Sequence, residues 1–117
     1  MTTLDAAPRK LRRAETAALK KLTKQADVAA RFLKLLGNEN RLLVLCFLSV
    51  RGEMTVGEIV EAVDLSQSAL SQHLAKLRED GLVTFRREAQ TLFYRISDER
   101  ALRVLHLLKE MFCGGLA

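Results

Sequence analysis

The stretch TVGEIVEAVDLSQSALSQHLAKLREDGLVTFRREAQTLFYR, residues Thr55–Arg95, decides the fold. Thr55 stands three residues before Glu58, the spacing of a capping box. There a hydroxyl and a carboxylate satisfy two amides that the first helical turn leaves open. Val56, Ile59, Val60 and Val63 follow at helical spacing, and Asp64-Leu65 reads as a turn. Ser66 caps a second helix with a core face of Leu70, Leu74 and Leu77, which Gly81 ends. Beyond it the period falls to two. Leu82–Arg87 and Thr91–Ile96 read as strands, with Leu92, Tyr94 and Ile96 alternating against Phe93 and Arg95. The connector Glu88-Ala89-Gln90 lacks the glycine that tight hairpins favour, which predicts a longer or mobile tip. Helix, tight turn, helix and hairpin in this order form a winged helix-turn-helix. Such a unit puts its second helix in the DNA major groove and its β-wing on the flanking backbone.

Three further helices surround this unit. The first runs from about Ala14 to Leu36, where Leu22, Ala26, Ala29, Leu33 and Leu36 make one apolar seam and Gly37 stops it. The second, roughly Glu39–Val50, is capped by Asn38 or Asn40 and closed by Gly52. It is apolar all round from Leu42 to Leu48, the pattern of a helix buried mid-domain. The last, about Glu99–Cys113, is capped by Ser97 or Asp98 and carries a stripe of Ala101, Val104, Leu105, Leu108, Met111 and Phe112. The end, Gly114-Gly115-Leu116-Ala117, reads as frayed. The fold class is therefore mainly α with a small β-hairpin: five helices plus a two-stranded wing. A core of this size cannot cover the stripes of both terminal helices, so pairing across a two-fold axis is expected. Such a homodimer would also set two recognition helices one DNA turn apart, roughly 34 Å, to read a palindrome in double-stranded DNA.

With 117 residues, 49% of them hydrophobic, the chain has the size and composition of one globular domain. Residues 1–13 are expected to be a disordered basic arm and 14–117 the DNA-binding and dimerisation domain. The net charge of +5 lies entirely in residues 1–26, with Arg9, Lys10, Arg12, Arg13, Lys20, Lys21 and Lys24, while residues 27–117 are neutral. A basic arm can be a solvated tail or can add phosphate contacts. No apolar run is long enough to span a membrane and no signal peptide is evident, so no membrane partner is expected and a cytoplasmic location follows. No phosphate-binding glycine loop, nucleophile elbow or paired-acid site is present, which argues against an enzyme and against a bound cofactor.

The candidate DNA-contacting residues are Ser66, Gln67, Ser68, Ser71, Gln72, His73 and Lys76 on the recognition helix, and Arg86, Arg87 and Gln90 in the wing. Glutamine can bind adenine bidentately, serine is permissive, and lysine reaches phosphate or guanine. No acidic residue occurs from Ser66 to Leu77, unlike an ordinary solvated helix face. His73 has no Cys or carboxylate beside it at metal-ligand spacing, so a DNA contact or a helix-capping role is preferred. Arg95 is placed to pair with an acid at the hairpin base. Cys46 in the second helix and Cys113 in the last leave two readings open. They are two small buried hydrophobes, or a dithiol switch that links a helix feeding the DNA-binding unit to a dimer helix.

The run Leu33-Lys34-Leu35-Leu36-Gly37-Asn38-Glu39-Asn40-Arg41-Leu42, the segment Ser66–Val83, and the wing from Arg86-Arg87 to Phe93-Tyr94-Arg95 together resemble repressors of the ArsR/SmtB type. The resemblance covers about residues 22–113. It implies a homodimeric winged-helix repressor that leaves its operator when an inducer acts. Many such repressors sense metal through a Cys-x-Cys box opening the third helix, but Thr55 and Gly57 stand there in this chain. Asp98, His106 and Glu110 do not fit the spacing of the family's other zinc site, so no metal ligands are assigned. A branch with only two cysteines, the reactive-sulfur and redox-sensing group of BigR-like and SqrR-like repressors, has its pair where Cys46 and Cys113 fall. That resemblance implies release of DNA when the two are linked by persulfide, polysulfide or oxidation, with reactive sulfur species or oxidants as inducer. The alternatives are a metal-responsive repressor and a dithiol sensor tuned to peroxide. Cys113, near the terminus and four residues after Lys109, is the expected reactive thiol. Family wings often carry Gly-Arg at the tip, where this chain has Ala89-Gln90.

Overall fold

The computed structural model describes Lys10 and residues 12–114. The disorder expected of the N-terminal arm (residues 1–9 and 11) and the frayed end (residues 115–117) lie outside the described residues. In chain order the elements are α1 (Arg13–Leu36), α2 (Glu39–Arg51), β1 (Met54–Thr55), α3 (Val56–Ala62), α4 (Gln67–Glu79), β2 (Val83–Glu88), β3 (Thr91–Ile96) and α5 (Glu99–Phe112). They fall into two units that divide between Leu33 and Lys34.

Among its described residues the first unit is the greater part of α1. The Glu15 carboxylate accepts the Arg12 N–H at 2.9 Å, which closes an open amide at its start. Every residue from Ala17 to Arg31 is exposed, the apolar Leu19, Leu22 and Val28 included.

The second unit holds the core. The Asn38 side chain caps α2 by accepting the Arg41 N–H at 3.0 Å, and Gly52, at φ +87°, ends the helix. Val44, Leu45 and Leu48 are buried against neighbouring helices and β3. Leu43 and Val50, however, are 42% and 57% exposed. The expected all-round burial of α2 is thus corrected: its continuous apolar run serves one inward face, and Leu43 and Val50 are exposed.

The capping box forms as read. Thr55 Oγ1 accepts the Glu58 N–H at 3.1 Å, and the Glu58 carboxylate accepts the Thr55 N–H at 2.9 Å. Ser66 caps α4 by accepting the Ala69 N–H at 3.1 Å, and Leu70, Leu74 and Leu77 are buried beneath it. At the far end Gly81 takes φ +79°. Its N–H donates to the Arg78 carbonyl, and the Leu82 N–H to the Leu77 carbonyl, a Schellman pair that turns the chain into the wing.

Two features of the sheet differ from expectation. The hairpin is tight: pairing runs from Val83↔Ile96 out to Glu88↔Thr91, leaving only Ala89-Gln90 as the turn. Ala89 adopts φ +57°, the left-handed conformation normally left to glycine. The two-stranded wing forms as read, but its sheet gains a third strand. The short β1 pairs with β3 through Met54↔Tyr94 and Thr55↔Phe93, giving the order β1-β3-β2. Two residues are too short to display an alternating pattern, although Met54 is fully buried. Among the described residues no helix is long and apolar enough to cross a membrane.

Candidate nucleic-acid interface and cysteine pair

Because Leu70, Leu74 and Leu77 pull one face of α4 into the core, the opposite face must project outward. Gln67, Ser68, Ser71, Gln72 and Lys76 are all exposed there, with His73 half-buried at the edge. Ser66 is exposed too, but its hydroxyl oxygen is occupied as the helix cap. Burial, helped by the Arg41 guanidinium, lowers the His73 pKa. Arg41 itself donates to the carbonyls of Leu35 at 2.9 Å and Lys34 at 3.2 Å.

The wing brings Gln90 to the start of the recognition helix. An open cleft of about 400 Å³ is lined by Gln67 and Gln90 together with Thr55, Val56, Gly57, Thr91 and Leu92. The two wing arginines differ. Arg86 grips Glu53 with two hydrogen bonds of 2.9 and 3.0 Å, reaches Glu88 at 3.3 Å, and lies 4.3 Å over the Phe93 ring. The Arg86 hydrogen bond holds the Glu53 carboxyl below the usual carboxylate range. Arg87, one residue on and therefore on the other face of the strand, is exposed, and among the described residues no acid pairs with it. Arg95, expected to pair at the hairpin base, is exposed and contributes only a weaker field at Glu53.

Both cysteines are free thiols. Cys46 lies half-buried on α2, and Cys113 caps the C-terminus of α5, where it is exposed and its N–H donates to the Lys109 carbonyl at 2.8 Å. The helices α2 and α5 pack on each other. Burial pushes the Cys46 thiol up, Lys109 opposes that shift, and Cys113 is near enough to reinforce it.

Lys109, read from the sequence only as a neighbour of Cys113, turns inward instead. It is 8% exposed, and its Nζ donates to Ser49 Oγ on α2 at 3.1 Å. The Ser49 hydroxyl donates in turn to the Cys46 carbonyl at 2.7 Å. A signal was present: Ala101, Leu105 and Lys109 share one helical register, and the first two are fully buried. Met111 and Phe112, assigned to the same stripe, are 58% and 77% exposed in the chain. Among the described residues no three His, Cys, Asp or Glu side chains gather as a metal site.

Residues 38–84, from the α2 cap into the wing, match the family described as bacterial regulatory protein, arsR family. The transcriptional activator HlyU of Vibrio cholerae is 46% identical over 95 residues, covering 81% of this chain and 87% of the relative. The chain belongs to the arsR family of bacterial regulators. A solved structure of reduced HlyU from Vibrio cholerae superposes with a TM-score of 0.76 at 46% identity, covering 80% of this chain and 98% of that one. For the transcriptional repressor BigR of Xylella fastidiosa the TM-score is 0.73 at 37% identity, with 80% and 95% covered. A homodimeric winged helix-turn-helix DNA-binding domain from Mycobacterium bovis gives 0.68 at 33% identity, with 80% and 86% covered. This arsR-family chain is accordingly a winged-helix transcriptional regulator rather than an enzyme.

Proposed function

We propose that the chain is a homodimeric repressor that releases a palindromic operator when Cys46 and Cys113 are joined through sulfur. The observation that carries the reading is the placement of two free thiols on α2 and at the end of α5, helices that pack on each other, with Cys113 close enough to be felt at Cys46. One relative is described as a repressor and another was solved in a reduced form, which supports both halves of the proposal. The base-reading residues are Gln67, Ser68, Ser71 and Gln72. Ser66, His73, Lys76, Arg87 and Gln90 contact the backbone or groove edges, and Arg86 contributes once freed from its acids.

The chemistry needs no reagent beyond a low-molecular-weight persulfide, RSSH. Each cysteine thiolate attacks the outer sulfur of one RSSH, the S–S bond breaks, and the electron pair leaves with RS⁻, which takes up a proton. Two cysteine persulfides result. The outer sulfur of the Cys46 persulfide then attacks Cys113 Sγ and expels HS⁻. One sulfur now bridges the two cysteines, and two RSSH have been reduced to two RSH and one hydrogen sulfide. Helix axes pack about 8–10 Å apart, whereas a disulfide wants Cα atoms within about 4.4–6.8 Å. Each inserted sulfur adds up to about 2 Å of reach. A polysulfide therefore bridges neighbouring helices with less strain than a disulfide, which favours persulfides over peroxide. Exposed Cys113 reacts first, ahead of half-buried Cys46.

Intact mass spectrometry after separate exposure to a persulfide donor, a peroxide and zinc tests this, beside operator gel shifts. The expected result is a persulfide-dependent gain of whole sulfur atoms less two hydrogens, with loss of the shifted band. Cys46→Ser and Cys113→Ser should bind operator and fail to respond. Release of the double serine variant by persulfide, or a wild type without added sulfur, refutes the thiol switch. A response to zinc instead would mark a metal sensor.

A further inference from the structure

We propose that Lys109 is a positioning residue of this switch, its buried ammonium serving as counter-ion for the anion that Cys46 carries first as thiolate and then as persulfide. The proposal rests on the thiol-switch reading and names the group that lets the less accessible cysteine take part.

The helix register of α5 holds an anomaly. The inward face of α5 runs Ala101, Leu105, Lys109, so a lysine stands where a leucine or methionine would fill the core. Removing an ammonium from water is costly unless an opposite charge is near. Yet among the described residues no carboxylate pairs with Lys109, and its hydrogen-bond acceptor is the neutral Ser49 hydroxyl. Ser49 is itself fixed to the Cys46 carbonyl, one helical turn back on α2. The side chain is thereby steered from α5 across to the turn of α2 that bears the thiol. The charged or titratable groups felt at Cys46 are Lys109 of α5 and Cys113 at that helix's C-cap. The anion this cation lacks is the one Cys46 forms on reaction.

Burial alone opposes that reaction, because it disfavours the charged thiolate. Lys109 counters it at the atom that attacks. Cys46–S⁻ displaces RS⁻ from RSSH, the proton of the new Cys46–S–SH passes to RS⁻, and the resulting Cys46–S–S⁻ stays beside the ammonium. When the bridge closes, the negative charge leaves as HS⁻. The ammonium is left buried beside a neutral polysulfide between α2 and α5, and α2 also packs on the recognition helix.

The test is the rate of Cys46 alkylation by iodoacetamide against pH, in the full chain carrying Cys113→Ser. Lys109→Met should move the midpoint up by about one unit, slowing alkylation at pH 7 about tenfold. Lys109→Arg should retain most of the wild-type rate. With both cysteines present, Lys109→Met should slow persulfide-driven operator release by a similar factor. Thermal melts check folding, and Lys109→Gln, which keeps a polar head for Ser49, takes the same test if the methionine variant melts early. A Cys46 profile that stays in place in a folded Met or Gln variant, or an Arg variant as slow as Met, overturns the proposal. That outcome is separate from failure of the sensing reading, which would appear as release of Cys46→Ser by persulfide while the Lys109 effect on alkylation persisted.

Discussion

Gln72 and Arg87 stand for two kinds of contact that can be told apart. Gln72 is exposed on the face of α4 opposite its buried leucines, and its amide can read a base edge. Gln72→Ala should weaken specific operator binding by about 1–3 kcal/mol and leave random DNA little changed. Arg87 is exposed and offers charge rather than a pattern. Arg87→Ala should weaken both kinds of DNA alike and flatten the dependence on log salt by about one unit per wing. Fluorescence anisotropy over a salt series measures both, and an unchanged operator affinity in folded Gln72→Ala would mean that another face reads the bases. The wing tip allows a stability prediction. Ala89 holds φ +57°, a conformation that costs an L residue about 1–2 kcal/mol, against about 0.4–1 kcal/mol of extra unfolded-chain entropy for glycine. Ala89→Gly should therefore stabilise the domain by roughly 0.5–1 kcal/mol in urea denaturation. Destabilisation would show that the strain is relieved elsewhere.

At the scale of elements, what was legible in the sequence is what local chemistry controls. The capping box at Thr55 and Glu58, the Ser66 cap, the leucine face of α4 and the glycine stop at Gly81 each follow from residues within one turn of one another, and each formed. What was missed depends on partners far along the chain. The strand β1 exists because β3 offers it an edge, and Lys109 faces inward because Ser49, 60 residues away, receives it. The Arg86 clamp is of the same kind, joining the wing to Glu53 across 33 residues of sequence. It leads to a prediction about the wing as a whole. Glu53 has a folded-state pKa below its ordinary value. Its contribution is therefore present above the ordinary carboxylate range and lost as pH falls through the lowered value, so the clamp is closed at neutral pH. Glu53→Gln should weaken that hold, remove a negative charge near the wing, and steepen the salt dependence of DNA binding by up to about one unit per wing. The melting temperature should change little, since exposed ion pairs contribute little to stability. An unchanged salt slope would show that Arg86 remains on the sheet when DNA binds.

The largest scale concerns what the chain leaves uncovered. The helix α1 is exposed along Ala17–Arg31, with Leu22 at 62%, and α5 ends on Met111 and Phe112 at 58% and 77%. Helices gain most of their stability in water by packing an apolar face, and large contiguous apolar patches on soluble proteins mark contact surfaces. Burying each such leucine, methionine or phenylalanine is worth about 1.5–3 kcal/mol, so a few of them from each copy suffice for a stable dimer. A two-fold arrangement also matches the DNA, because two α4 helices spaced by one turn, about 34 Å, read the two halves of a palindrome. The expected state is a dimer at micromolar concentration by analytical ultracentrifugation. Leu22→Glu and Met111→Glu, each far from α4 in sequence, should shift the population toward monomer. They should lose affinity for the full operator while keeping the weak binding of a single half-site. Since each half-site pairs with one recognition helix, the loss should vanish on a half-site duplex. A wild-type monomer at those concentrations, or dissociated variants with full operator affinity, would show that the terminal helices do not join the two copies.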